Sequence, residues 1–312
     1  MKELVVIVGP TASGKSELAV KLALRFGGEI VSADSRQVYK GLDIGAGKIT
    51  KKEMRGVPHH LLDVASPKRI FTVVQYRRRA LKAIKDIQKR GKLPFLVGGS
   101  PFYIYAVANG LLFPEVPPDK ELRRQLEQYS AEKLYEKLQK LDPARAATLR
   151  QSSGQAKNKR RLIRALEIVF KTGKPVPELP QKPLPYPVLL LGIQRTQDEL
   201  KKRIVKRLQR RFREGMVEEI QQLNKSGLSW KRLEELGLEY RYVAQYLQQK
   251  ISRKEMEEKL EREIWKFSKR QMNWFKKDPR IRWIKDLKEA ENLLRLSFEE
   301  LFESGAGKFR IR

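Results

Sequence analysis

The sequence predicts an α/β fold: a P-loop NTPase-like core with a parallel sheet flanked by helices, plus an inserted small all-helical domain. Three observations predict it. The apolar run Leu4 to Val8 passes through Gly9-Pro10-Thr11-Ala12-Ser13-Gly14-Lys15-Ser16 into Leu18, Ala19, Leu22 and Phe26 at helical spacing, the strand, turn and helix start that a phosphate loop requires. Apolar runs near residues 29–33, 93–97 and 188–193 supply further buried strands between helical patterns. Proline-rich stretches at 113–119 and 175–187 bracket a polar helical segment, dividing the chain into a core of residues 1–112 and 188–312 and an insertion of 113–187.

Composition bounds the function. The chain has 312 residues, 40% of them hydrophobic, enough for a sizeable core. Absence of cysteine excludes disulfides and thiolate metal sites. No apolar run approaches a membrane span, and MKELVV enters a strand directly, so a cytoplasmic protein without a membrane partner is expected; a monomer is the expected state, although the sequence itself does not reveal it. The formal net charge of +30, from 67 Lys+Arg against 37 Asp+Glu, exceeds what solubility needs and points to a polyanion, nucleic acid first. A thermophile-like surface is the competing explanation, but that style adds Glu together with Lys.

In chain order, Gly9 and Gly14 let successive N–H groups face one concavity at the positive end of the following helix, where a di- or triphosphate fits. Lys15 would neutralise the phosphate, and Ser16 would offer its hydroxyl to Mg²⁺, a hard cation that favours oxygen. The next strand delivers Asp34, Ser35, Arg36 and Gln37 at its C-terminal end, the edge where parallel sheets carry chemistry. Asp34 is a candidate general base or metal-shell carboxylate, and equally a helix cap. The loop at 41–50, with Gly45, Gly47 and Lys48, offers a possible anion contact. His59 and His60 are adjacent and the chain holds no other histidine, which favours a structural or hydrogen-bonding role over zinc. Residues 72–90 carry an amphipathic helical pattern, and Gly98-Gly99-Ser100 closes the next strand, bringing Ser100 to the same edge either as a reactive-site hydroxyl or as a helix N-cap.

Two later helices carry the basic signal. Leu200, Ile204, Leu208 and Phe212 form an apolar stripe, with Arg203, Lys206, Arg207, Arg210 and Arg211 around it as an electropositive face. Within 264–277, Lys266, Lys269, Arg270, Asn273 and Lys277 are interleaved with Trp265, Phe267, Trp274 and Phe275. Such a face can pair with phosphates and offer rings to unstacked bases, although most of those rings are expected in the core.

Six ordered blocks, GPTASGKS, SADSRQVYKGLDIG, GVPHHLLDV, FLVGGSPFYI, NKRRLIRALEI and RQMNWF, resemble the bacterial tRNA dimethylallyltransferase (isopentenyl-tRNA transferase) family from about residue 5 to residue 275. The resemblance implies transfer of the dimethylallyl group from dimethylallyl diphosphate to N6 of the adenosine 3′-adjacent to the anticodon. It implies that Gly9, Pro10, Thr11, Ala12, Ser13, Gly14, Lys15 and Ser16 cradle the donor's diphosphate with Mg²⁺ at Ser16, and that Asp34 accepts the N6 proton. Ser100 matches a threonine beside the reacting centre, and Arg203 or Arg207 matches the cation that reaches the diphosphate from the other side. Segments matched to contacts with the tRNA anticodon stem-loop are Asp34, Ser35, Arg36, Gln37 and Ser100; Arg123; Asn158, Lys159, Arg160, Arg161 and Leu162; Tyr240 and Arg241; and Asn273, Trp274, Phe275, Lys276 and Lys277. The chain departs from the family pattern at Gly45-Ala46-Gly47-Lys48-Ile49 for GTAKP, Ser100-Pro101-Phe102 for TGL, Asn273 for threonine and Gly237-Leu238-Glu239-Tyr240 for GYK or GYR. Three alternatives are an isopentenyltransferase for free adenine nucleotides, a P-loop kinase or ATPase, and a non-catalytic RNA-binding module.

Overall fold

The computed structural model describes residues 3–151, 156 and 158–303. The described residues form two compact units, one from 3–110 with 183–303 and one from 111–182. In the smaller unit Leu111 bridges Gln181 and Leu112 N–H donates to Pro180 at 2.8 Å, which closes its two linker strands on each other. Residues 183–187 side with the larger unit, where Leu4 N–H donates to the Pro187 carbonyl at 3.0 Å. Among the described residues no helix is long and apolar enough to cross a membrane.

The larger unit opens with β1 (Leu4–Val8), α1 (Lys15–Arg25), β2 (Gly28–Ser32), α2 (Lys51–Met54), β3 (His59–His60), α3 (Val73–Lys89), β4 (Leu93–Gly98) and α4 (Pro101–Ala108). After the smaller unit it resumes with β5 (Val188–Ile193), α9 (Gln197–Arg213), α10 (Met216–Lys225), α11 (Trp230–Leu236), α12 (Leu238–Leu247), α13 (Arg253–Phe275), β6 (Arg282–Ile284) and α14 (Leu287–Glu303). The strands pair in the order β3-β2-β4-β1-β5-β6, every pair parallel. Alternation along β1 sorts its side chains: Leu4, Val6 and Val8 join a core with Tyr76, Ile84, Ile204 and Ile264, while Val5 and Ile7 face Leu18, Leu22, Leu294 and Phe298. Because both faces of the sheet are covered, its strands read as unbroken apolar runs. Thr72, Thr196 and Ser252 begin α3, α9 and α13 with capping boxes, which satisfy the first helical N–H groups and fix where each helix starts.

The smaller unit holds α5 (Lys120–Glu127), α6 (Ala131–Leu141), α7 (Pro143–Gln151) and α8 (Lys159–Thr172) around Leu126, Leu134, Leu138, Leu149, Leu162 and Leu166. Its polar anchor is Glu167, a side chain with no exposed surface. Arg123 grips this carboxylate at 2.7 Å through both Nε and Nη2, Arg164 donates to it at 2.5 Å, and the Asp119 N–H donates at 2.7 Å. Glu167→Ala would strand two guanidinium groups and a backbone donor, so a loss of about 3 kcal/mol is expected, read as an earlier unfolding transition of the variant.

Candidate functional site: a phosphate loop beside a carboxylate

The strand order brings three chain turns together. β1 lies next to β4 and β4 next to β2, so residues 9–14, 98–100 and 33–37 meet at the C-terminal edge of the parallel strands. In the first turn Gly9, Ala12 and Gly14 have φ of 155°, 64° and 97°. Ala12 and Gly14 are in left-handed geometry, which turns the backbone N–H groups inward. Gly9 is close-packed as well, since a Cβ there would stand 2.9 Å from Ser13 Oγ. That hydroxyl is fully buried and has no hydrogen-bond partner among the described residues.

The loop's own lysine and three arginines from β5 onward bond it. Lys15 Nζ donates to the Pro10 carbonyl at 3.1 Å, Arg203 Nε to Ala12 at 2.9 Å and Arg195 Nε to Ser13 at 3.3 Å. Arg207 bonds the Thr11 hydroxyl. Burial, reinforced by Arg207 and opposed by Asp34, brings the Lys15 ammonium down to about 8. Burial and then Arg211 push the Arg207 guanidinium down as well. Burial outweighs the nearby carboxylates, Asp34 for both cations and Glu239 for Arg207, and a bound diphosphate would add counter-charge. Lys15 binds an anion only when protonated, so affinity for inorganic diphosphate is expected to fall as pH rises through about 8. Titration calorimetry across that range checks it, with Lys15→Met expected to lack the decline.

Asp34 and Ser100 face the same space. Asp34 Oδ1 accepts from Arg36 N–H at 2.8 Å and Gln37 N–H at 3.4 Å; residues 35–38 are a turn and not a helix, so this oxygen closes a turn instead of capping a helix. Ser100 precedes α4 without a side-chain cap bond. Its Oγ instead accepts from Ser35 N–H at 3.1 Å, tying the β4 turn to the Asp34 turn. Thr11, Lys15, Ser16, Asp34, Ser35, Arg36, Gln37, Ser100 and Arg207 line one cleft of about 230 Å³. Val97, Leu236, Leu238, Ile264 and Phe267 give the cleft an apolar side. Arg203, by contrast, does not line it.

Several expectations change. Lys48 is not available to an anion: Asp43 and Asp63 hold its ammonium at 2.5 and 2.6 Å, which leaves it neutralised in place. Arg211 is buried on α9 rather than part of the basic face, because it pairs with Glu239 at 2.8 Å and donates to the Gly45 carbonyl at 3.3 Å. Leu162 and Phe275 are wholly buried, so their side chains support a surface and do not touch RNA. Tyr240 is 1% exposed and its hydroxyl donates to Glu219 at 3.3 Å; it backs the cleft wall. Arg123 is engaged with Glu167, Asn158 caps α8, and Lys159 pairs with Glu127. Arg160, Arg161, Arg241, Asn273, Lys276 and Lys277 are exposed, and Trp274 is 48% exposed, leaving its ring surface open. His59 Nδ1 lies 2.8 Å from the Val57 carbonyl and His60 Nε2 2.7 Å from Glu29, a hydrogen-bonding role at the sheet edge.

Three anchors lay outside the sequence reading. Glu219 accepts from the N–H groups of Asp43, Ile44 and Gly45, fixing the glycine loop from α10. Gln271, 4% exposed, accepts from Thr11 N–H and donates to the Gly99 carbonyl. Arg195 bonds the phosphate loop from the end of β5. Only Gln271 left a trace in the sequence: Ile264, Ser268, Gln271 and Phe275 are all buried, a helical stripe in which a glutamine is the odd member.

A parallel α/β core, a phosphate loop under buried cations and a carboxylate beside an apolar wall define a P-loop α/β protein with a cleft of mixed polar and apolar lining. The chain belongs to the IPP transferase family, whose model matches residues 37–278. It is 42% identical over 305 residues to tRNA dimethylallyltransferase 1 of Geotalea uraniireducens (strain Rf4), covering 94% of this chain and 97% of that one. With the tRNA dimethylallyltransferase of Caldanaerobacter subterraneus subsp. tengcongensis it shares 39% identity over 321 residues, 99% of each chain. The crystal structure of the full-length tRNA isopentenylpyrophosphate transferase from Bacillus halodurans superposes with a TM-score of 0.73 at 34% identity, covering 98% of this chain and 100% of that one. A eukaryotic dimethylallyltransferase acting on tRNA superposes with a TM-score of 0.77 at 25% identity, covering 100% of this chain and 82% of that one.

Proposed function

We propose that this protein transfers the dimethylallyl group of dimethylallyl diphosphate to N6 of the adenosine 3′-adjacent to the anticodon of tRNA, releasing diphosphate. The observation that carries the reading is the single cleft in which the phosphate loop, Arg207, Asp34, Ser100 and an apolar wall meet. The names of its relatives, which act on tRNA or carry isopentenyl diphosphate chemistry, supply the acceptor and donor classes.

In this mechanism the diphosphate rests on the loop N–H groups, and Lys15 and Arg207 stabilise the charge that builds as the allylic C1–O bond breaks. The prenyl chain lies against Val97, Ile264 and Phe267, the apolar side of the cleft. The adenine amine is a weak nucleophile, so it must be held in line with C1. As the N6–C1 bond forms, Asp34 takes the N6 proton, and both electrons of the broken bond leave with diphosphate. Ser100 steadies the Asp34 turn through Ser35 and lies beside the reacting atoms. The donor set at the loop fits Mg²⁺: Ser16 lines the cleft with an exposed hydroxyl, a hard oxygen ligand that diphosphate oxygens and water would complete. Bound there, the ion would neutralise the leaving diphosphate.

A base stacked in the anticodon loop must be extruded to reach such a cleft. In the smaller unit the exposed cations of α8 suit backbone contact; in the larger unit the exposed cations at the α13 end suit it too, and Trp274 on the same helix offers a ring for stacking. On this reading the protein works as a monomer in the cytoplasm, where tRNA is met. Parallel incubations with ATP alone, with AMP and dimethylallyl diphosphate, and with tRNA and dimethylallyl diphosphate test the reading. Product only in the last is expected. Prenylated AMP would contradict the acceptor, and ATP hydrolysis without prenyl transfer would contradict the reaction class. Affinity for tRNA is expected to fall linearly with salt on logarithmic axes, as a filter-binding series would read.

A further inference from the structure

We propose that Gln271 is a positioning residue that sets the distance between the diphosphate cradle and the acceptor side of the cleft; the proposal rests on the transfer reaction above. Gln271 sits on α13 and its side-chain amide bridges two chain turns that do not otherwise belong to the same element. Its Oε1 accepts from Thr11 N–H at 2.8 Å, and its Nε2 donates to the Gly99 carbonyl at 2.5 Å. The amide can stand only one way round, because the Thr11 N–H can only donate and the Gly99 carbonyl can only accept.

Each partner leads directly to one half of the chemistry. Thr11 belongs to the phosphate loop, and its hydroxyl is bonded to Arg207. Gly99 precedes Ser100, whose Oγ accepts from Ser35 N–H at 3.1 Å next to Asp34. The bridge therefore runs from the leaving-group site to the proton acceptor through hydrogen bonds and short lengths of backbone. Gly99 allows this close approach: a Cβ there would collide with Gln271 Nε2. At 4% exposure the amide has no water to replace either partner, so removing it leaves a backbone donor and a backbone acceptor unpaired on the two sides of the reacting gap.

In-line displacement is sensitive to that gap. A displacement of about 1 Å between reacting groups can cost about 10²-fold in rate. Binding of each substrate alone needs only its own side. Loss of the bridge should therefore lower kcat and spare KM.

Two variants test this. Gln271→Met keeps the length and packing of the side chain and removes both bonds. Gln271→Glu keeps an oxygen for Thr11 N–H but sets a second oxygen against the Gly99 carbonyl. With kcat expressed per folded molecule from circular dichroism, both variants are expected to lose about 10²-fold, with KM for dimethylallyl diphosphate and for tRNA changed by no more than about twofold. If Gln271→Met fails to fold, Gln271→Glu alone decides. Wild-type kcat in Gln271→Glu, held as pH is raised so that a protonated carboxyl cannot stand in as donor to Gly99, would overturn the bridge, since the Thr11 contact alone would then suffice. A rise in donor KM with kcat unchanged would also overturn it, reducing Gln271 to a prop for the phosphate loop. An inactive wild-type protein would remove the proposed reaction, and this role with it; an active wild type with active variants would remove this role alone.

Discussion

Asp34→Asn is expected to lower the rate of prenyl transfer by about 10²–10⁴-fold while leaving tRNA affinity close to that of the unsubstituted protein. The division follows from the two carboxylate oxygens. One is occupied by the N–H groups of Arg36 and Gln37, and asparagine can keep an oxygen there, so the turn that presents Ser35 and Arg36 survives. The other becomes an amide, which cannot accept the N6 proton. Affinity resides mainly in phosphate contacts along a chain of net charge +30, and those contacts are untouched. Single-turnover rates set beside equilibrium tRNA binding separate the two. An affinity loss equal to the rate loss would show that Asp34 binds the acceptor instead of deprotonating it.

Arg207→Gln is the second large effect. The guanidinium lines the cleft, bonds the Thr11 hydroxyl and is pushed towards neutrality by burial and by Arg211. Such a cation is stabilised when charge collects on the departing diphosphate, more than in the ground state. Removing a preorganised group of this kind costs about 10²–10³-fold in kcat. Arg203 matches the family helix equally well in sequence, yet it is exposed and spends its Nε on the outer carbonyl of Ala12. Arg203→Gln should therefore act mainly on donor KM and less on kcat. Comparable kcat losses in the two variants would contradict this ranking.

The residues that could be read in advance are those whose chemistry is local in sequence. The phosphate loop announces itself because its strand, glycines, lysine and helix start are contiguous, and the parallel sheet because both of its faces are covered and its strands are uniformly apolar. Asp34 and Ser100 could be assigned to an edge because each ends a strand. What could not be read is long-range pairing. Lys48 sits in a glycine loop like a phosphate ligand, and only the fold brings Asp43 and Asp63 onto it. Arg211 follows Arg210 in a basic run, but the helical turn carries it inward to Glu239. Glu219 stands in no motif, and Gln271, although it stands within RQMNWF, has no role legible there, since the partners of both are backbone groups far away in sequence. The C-terminal strand β6 escapes sequence reading for a different reason: it is three residues long, too short for any periodicity to emerge.

The central claim is that one cleft joins a prenyl diphosphate to an adenosine of tRNA. It is tested most directly by incubating the protein with unmodified tRNA, labelled dimethylallyl diphosphate and Mg²⁺, then digesting the tRNA and weighing its nucleosides. The predicted result is one labelled product, N6-dimethylallyladenosine, located 3′ to the anticodon. Tight, salt-dependent tRNA binding without any labelled nucleoside would contradict the account.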